Sequence, residues 1–553
     1  MLGVQISTDL NAGKSITVNT RPSTLIGLIA VCVCVGTPLI TSAWPYNSGQ
    51  IEYAENNKKP LRLTIVDAAG NVIAKDKIAY DLLINPHVFW QVSNSKSNQH
   101  RVLAQSDLEK TKLLTEALET LPNIAKNVEE KLSNSAKSKK EWVNLAWTLP
   151  ADVATRIDGL KLQGIKTTKR LAREYPENFL YAHVVGFTQA SDNSLGQEGL
   201  EYFFNQRITA SNEKSSPIKL TLDTDFQKLA RAALQEGIAK HQATGGAIVV
   251  LDANTHDIKS MVSLPDFDPN DSSTFRNPYK PEVILNRATA LNFPTGDLLT
   301  PLLAAHGLEV GQYDLNAQFK VGGKFMLGKA ELIDLQTPTT QTVEGIVARK
   351  NEISFSKIAL GLPLVELEAM TKKFGLGQPC NIAGATCINK SALPFNEWTP
   401  SMQLQPGRRI ETNMLQILKA YTPFANGGEI SIPRLLHSSN HHTESTRVIS
   451  LETANKIKNM LELSAKANPE SAFSNWSVTV ASKSSLIKGL YETNPETSVK
   501  SPRNDVATLI AILPANKPKY LVGVLLEFPR NKGVDADVSA QPIVINLMGN
   551  YLK

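Results

Sequence analysis

A serine and a lysine three residues apart at the head of a helix can perform acyl transfer. One helical turn sets the hydroxyl beside the amine, and a desolvated amine can take the proton as the hydroxyl attacks. Five such strings occur, beginning at Ser93, Ser211, Ser216, Ser354 and Ser485. Forty serines and 41 lysines among 553 residues give about three by chance. The strings alone therefore assign nothing, and none stands ahead of a helix in a suitable place. Metal chemistry has less support. The four cysteines form no C-x-x-C pair and no H-E-x-x-H string occurs, so neither a metal nor a cofactor is expected.

Groups of this kind need a rigid frame, and the chain is long enough to build one. At 42% hydrophobic and 20% charged residues, it can fill two or three cores. The 58 Lys+Arg and 52 Asp+Glu are interspersed, with no basic stripe to track a phosphate backbone, which argues against nucleic acid as a partner. No charge occurs from Pro22 to Ile51, and Leu25 to Val35 reads LIGLIAVCVCV. About 20 apolar residues span a bilayer. Lys14 and Arg21 precede the run and Glu52 and Glu55 follow it, which sets the N-terminus in the cytoplasm and the bulk outside it. An uncleaved anchor is the expectation; a signal peptide ending at Thr41-Ser42-Ala43 and a buried core helix are the alternatives. Cys32 and Cys34 inside the run act as small apolar residues.

Farther on, Leu61 to Asp67, the turn Ala68-Ala69-Gly70-Asn71 and Val72 to Ala74 predict a hairpin. Helical periodicity with many lysines covers 103–147, and the basic run Lys126 to Lys140 reads as a solvated helix face. A polar linker at 212–217 precedes a short strand at 219–223 and a helix through Phe226–Ala230. Gly245 to Asp252 predicts a buried strand, with Ile258 to Ser263 as its hairpin partner. Strands at 506–513 and 520–528 and a helix from Pro542 to Leu552 close the chain. Strands at both ends of one domain with helices between them predict a mixed α/β sheet.

These segments carry a resemblance. Arg62, Ile65, Asp67, Gly70 and Ala74 are similar to an R-G-x-I-x-D-R-x-G-x-x-L-A signature, with Leu63 and Ala68 in place of its glycine and second arginine. Tyr175-Pro176, Ala182 to Thr188 (AHVVGFT), Gly199-Leu200-Glu201, Phe267-Asp268-Pro269-Asn270, Asn286-Arg287-Ala288, Phe374 to Gly377 and Ala425 to Gly428 follow in order. Together they resemble the class B penicillin-binding proteins of the FtsI type. The resemblance implies a multidomain α/β chain: a cytoplasmic tail (1–21), a single N-terminal transmembrane helix (22–45), an elongated α+β pedestal (50–215) and a penicillin-binding, serine β-lactamase-like transpeptidase domain (216–553).

In that family the chemistry rests on S-x-x-K, S-x-N and K-T-G. Between Asn286-Arg287-Ala288 and Pro301, Asp297 stands at the nucleophile position and Thr300 at that of the base. Anchoring on Phe355-Ser356-Lys357 places Lys350 and Glu352 at the second motif. At the third, Lys483 remains, but Ser484-Ser485 replaces Thr-Gly, and the Ser485 side chain crowds the approach of a substrate backbone. Lys483 is either a relic that still attracts a carboxylate or an ordinary strand-edge lysine. With no intact catalytic residue, the resemblance implies a catalytically inactive scaffold or regulator of septal peptidoglycan synthesis in the bacterial inner membrane, mostly periplasmic. The implied partners are a SEDS-family glycosyltransferase, other divisome proteins and peptidoglycan. An active D,D-transpeptidase with displaced groups and a peptidoglycan-binding module remain open. Cys380 and Cys387, near in sequence and on the oxidising side, are expected close enough to pair, with two reduced thiols as the alternative.

Overall fold

The computed structural model describes residues 62–90, 105–189, 192–205, 216–271, 281–327, 330–350, 352–378, 398, 405–437, 445–488, 505–527 and 535–552. The expected span at 22–45, linker residues 212–215, Ser93, Ser211, Cys380 and Cys387 lie outside them. Among the described residues no helix is long and apolar enough to cross a membrane.

The hairpin forms where the turn chemistry places it. Asp67 Oδ1 accepts the N–H groups of Ala69 (2.9 Å) and Asn71 (2.7 Å), and Gly70 takes φ +96°. Strand β1 (Ile65–Val66) therefore returns antiparallel as β2 (Val72–Ile84). Strand β2 is long enough to pair with β3 (Val143–Leu149) and with β4 (Ile165–Glu174), while β5 (Ile218–Lys219) runs parallel to β1. Helices α1 (Gln105–Ala117) and α2 (Pro122–Ser135) cover this sheet through Leu114, Val128 and Leu132. The helical reading of 103–147 thus ends at Ser135. The segment VNLAWTL is claimed by β2 as a partner strand, and cross-strand pairing decides over helical spacing.

The second sheet has the order β8-β9-β10-β6-β7, where β6 is Gly245–Asp252, β7 Ile258–Leu264, β8 Ala481–Ile487, β9 Val506–Leu513 and β10 Tyr520–Glu527. Every pairing in it is antiparallel. Both faces are apolar, which is why its central strands read as continuous hydrophobic runs rather than alternating ones. Ile248, Val250, Leu509, Val522 and Val524 enter one core with helix α3 (Thr224–His241) and the C-terminal helix. Val249, Leu251, Ile510 and Leu521 enter another with α4 (Thr300–Glu309) and α7 (Met414–Asn426), between which lie α5 (Val343–Ala348) and α6 (Glu352–Leu360). The last helix, α8, runs Ala536–Met548, beginning six residues before the expected Pro542, because the Asp535 side chain caps it by accepting the Asp537 N–H.

Residues 59–553 form one compact unit, and several signature residues are its joints. Glu201 receives Arg62 Nε at 2.8 Å and Arg173 Nε at 2.7 Å, and Arg173 Nη1 also donates to Asp76 Oδ1 at 3.1 Å; all four side chains are buried. Asp67 Oδ2 accepts the Thr224 hydroxyl at the start of α3. Asn270 both accepts from Tyr175 N (3.0 Å) and donates to Tyr175 O (2.9 Å).

Candidate functional site

After Pro294, a 3-10 turn over Gly296–Leu299 leads into α4. Gly296 takes φ +53°, and a Cβ there would fall 2.2 Å from Ser485 Oγ, so only glycine lets the turn approach β8 this closely. Asp297 is thereby set at the head of the helix facing β8, and its N–H donates to Ser485 Oγ at 3.1 Å. Thr300, one turn on and buried, donates its N–H to Asp297 O. Asp297, Lys350 and Ser485 line one cleft of about 270 Å³, together with Gln405, Arg408 and Lys488. Glu352 opens helix α6.

Lys483, in the same strand as Ser485, is fully buried, not exposed as an ordinary edge lysine would be, although β8 is an edge strand. Its Nζ donates to Val347 O (2.7 Å) and Arg349 O (3.1 Å) at the end of α5. Burial pushes its pKa down to about 8, against the pull of Asp297, which favours the ammonium. Lys350 behaves oppositely. Burial acts to lower its pKa, but Asp537 (2.7 Å) and Asp535 (2.9 Å) outweigh that and hold the ammonium above its usual range. Asp537 Oδ1 also accepts Ser484 Oγ at 2.6 Å and Gln541 Nε2 at 3.2 Å. The second and third motif positions are thus tied together through the start of α8.

Residues 246–549 match the family model of the penicillin-binding protein transpeptidase domain. The chain belongs to that family. Residues 57–218 match the penicillin-binding protein dimerisation domain, and the whole is a class B penicillin-binding protein of the FtsI type, a family of cell-wall synthesis. Among its relatives, a probable peptidoglycan D,D-transpeptidase PenA of Neisseria gonorrhoeae is 25% identical over 79% of this chain and 78% of its own length. The peptidoglycan D,D-transpeptidase FtsI of Buchnera aphidicola subsp. Schizaphis graminum is 22% identical over 98% and 96%. A peptidoglycan synthetase from Bifidobacterium adolescentis has the same fold, with TM-score 0.63 and 19% identity over 89% of this chain and 96% of that one. So has the transpeptidase domain of Burkholderia pseudomallei penicillin-binding protein 3, with TM-score 0.52 and 22% identity over 60% and 95%.

Measured against the family's chemistry, the site brings its positions together but not its groups. Asp297 offers a carboxylate, whose attack on an amide would give an anhydride at prohibitive cost. Its N–H, at a helix head where it could stabilise charge on a substrate carbonyl, is engaged by Ser485. Among the described residues, no hydroxyl is hydrogen-bonded to Lys483 and no amine or imidazole to Ser485. The string Ser354 to Lys357 offers no substitute: Ser354 Oγ donates to Gln341 Oε1 (3.3 Å), and Lys357 Nζ sits over the Phe325 ring, 3.5 Å from its centre. Sequence reasoning missed Asp535 and Asp537. The signal was the D-A-D string ahead of an apolar run, a helix cap hidden by starting the helix at Pro542.

Proposed function

We propose that this penicillin-binding protein is anchored in the inner membrane by residues 22–45, with its bulk in the periplasm, and serves septal peptidoglycan synthesis as a catalytically inactive scaffold or regulator. The observation that carries the reading is the pairing at the nucleophile position, where Asp297 N–H donates to Ser485 Oγ and no serine or lysine stands at either catalytic place of the first motif. Mass spectrometry after incubation with penicillin tests it: no adduct is expected, and a stoichiometric acyl adduct on any serine overturns it.

A scaffold works through surfaces that do not depend on acylation. The anchor and the pedestal would therefore meet the partners, a SEDS-family glycosyltransferase and other divisome proteins. Lys483→Ala should leave septal function unaltered in a complemented deletion strain. Replacing Leu25 to Ile40 with an unrelated spanning helix should impair co-purification of membrane partners, since helix association in lipid depends on specific packing. The reverse pattern would favour a working cleft. An active transpeptidase with displaced groups draws on one observation, the Lys483 amine with its pKa near 8, and the same mass measurement decides between the two.

A further inference from the structure

A second cleft, of about 570 Å³, lies on the pedestal, where Trp147 and Thr148 of β3 face helix α2. A break in the sheet shapes it. Tyr80 of β2 pairs with Leu149 and Leu82 with Ala146, so three steps on β3 answer two on β2, and Trp147-Thr148 form a bulge. Bulges re-aim side chains. Thr148 takes φ +62°, a left-handed conformation that a β-branched residue adopts only under constraint.

Across the cleft, α2 sets Asn123 and Asn127 one turn apart and exposed. Lys131, a further turn on, reaches Leu145 O at 3.1 Å. Three of the cations along the walls have carboxylate partners: Arg170 Nε donates to Asp81 Oδ1 at 2.6 Å, Lys77 Nζ to Glu174 Oε1 at 2.8 Å, and Arg173 is held by Glu201 and Asp76, whereas exposed Lys131 meets a backbone carbonyl. The Arg170 guanidinium lies 5.6 Å from the centre of the Trp147 ring. What the cleft offers a ligand is therefore an aromatic face, side-chain amides and hydroxyls, with the Lys131 ammonium at one end of α2.

We propose that this cleft binds an oligosaccharide carrying acetamido groups. The apolar C–H face of a pyranose ring would lie on Trp147. Asn123 and Asn127, each both donor and acceptor, complement acetamido and hydroxyl groups. The volume lies within the range of small-molecule sites, about 300–1,000 Å³. The bulge gives the strain at Thr148 a role: it turns the indole toward the ligand. The site lies on the pedestal and does not depend on whether the transpeptidase cleft is inactive.

The test is isothermal titration of the full chain in detergent with a β-1,4 N-acetylglucosamine tetramer, with a peptide ending in D-Ala-D-Ala as the comparison. The tetramer should bind, and Trp147→Ala and Asn127→Ala should each weaken it at least tenfold. Asn127 is exposed on a helix, so its variant keeps the fold. Thr148→Gly should raise the melting temperature while weakening binding, a pairing that a purely structural bulge would not give. Absence of tetramer binding at millimolar concentration, binding untouched by Trp147→Ala and Asn127→Ala, or binding of the peptide alone would overturn the proposal.

Discussion

Replacing Lys350 with Met would unfasten the start of α8 from the transpeptidase cleft. The side chain of Asp537 is 6% exposed, that of Lys350 26% and that of Asp535 39%. Removing one partner from a buried pair costs about 3–5 kcal/mol, whereas exposed pairs contribute below about 1 kcal/mol. The Asp535 contact belongs to the second class. Asp537 keeps its bonds to Ser484 and Gln541, so the expected loss for Lys350→Met is about 2–3 kcal/mol. The sign with pH follows from both partners. Asp535, whose carboxyl is raised by burial but lowered more by Lys350, contributes stability above the ordinary carboxylate range that is lost as pH falls through its depressed value. Lys350, with its pKa raised, contributes below pH ~10.4 and loses its share only above that. The difference from wild type should therefore be flat from about pH 5 to 10 and shrink in acid. Chemical denaturation of Lys350→Met, Asp537→Asn and the double variant, read alongside hydrogen exchange at the first turn of α8, gives the coupling. Single costs that add within about 0.3–0.5 kcal/mol would refute the linkage.

Lys483 carries the opposite pH signature. Its folded pKa, lowered to about 8 by burial, lies below the unfolded value, so the unfolded chain binds more protons between about pH 8 and 10.4 and stability should rise with pH across that window. Lys483→Met should abolish the rise, seen as denaturation midpoints that no longer differ between pH 7.5 and 10. Gly296→Ala should destabilise by about 1–3 kcal/mol, because the new Cβ falls against Ser485 Oγ at a left-handed φ. Adding Ser485→Gly should recover part of the loss in a thermal melt; no recovery would mean that backbone strain alone sets the cost. His183 is partly buried, and burial pushes its pKa down to about 4 against its hydrogen bond to Val283 O, which favours the charged ring, so acidification from about pH 6.5 to 4 should destabilise the fold around it by burying a charge, detectable as faster proteolysis.

Much of the frame was legible because its signals are local. Asp67 and Gly70 announce the β1–β2 turn by side-chain chemistry, and β6, β9 and β10 are continuous apolar runs bounded by turn residues. Asp297 and Thr300 are placed in the sequence by neighbours such as Asn286-Arg287-Ala288 and Pro301, and the structure puts Asp297 in the 3-10 turn that leads into α4. What escaped was set by partners far along the chain. Lys350 meets Asp535 and Asp537 across separations of 185 and 187 residues, and no local pattern announces such a pair. Strand β3 was read as helix because its pairing with β2 lies outside its own window. Thr148 carries no residue-type signal for a left-handed bulge, since glycine or asparagine would be the expected occupant.

The buried joint of Arg62 with Glu201 bears on how the chain is made. Its two halves lie 139 residues apart, and Gly246 of β6 waits longer still for Leu526 of β10. At about 5–20 residues per second, a ribosome delivers Glu201 about 7 to 28 seconds after Arg62, and the last strand later again. Until then Arg62 lacks Glu201, and once the β6–β7 hairpin is made the other edge of β6 stays open until β10 arrives, at risk of joining the wrong strand. The fold is therefore a debt contracted at the N-terminus and settled near the C-terminus. A fragment stopped short of β10 is the species that chaperones must hold or proteases clear.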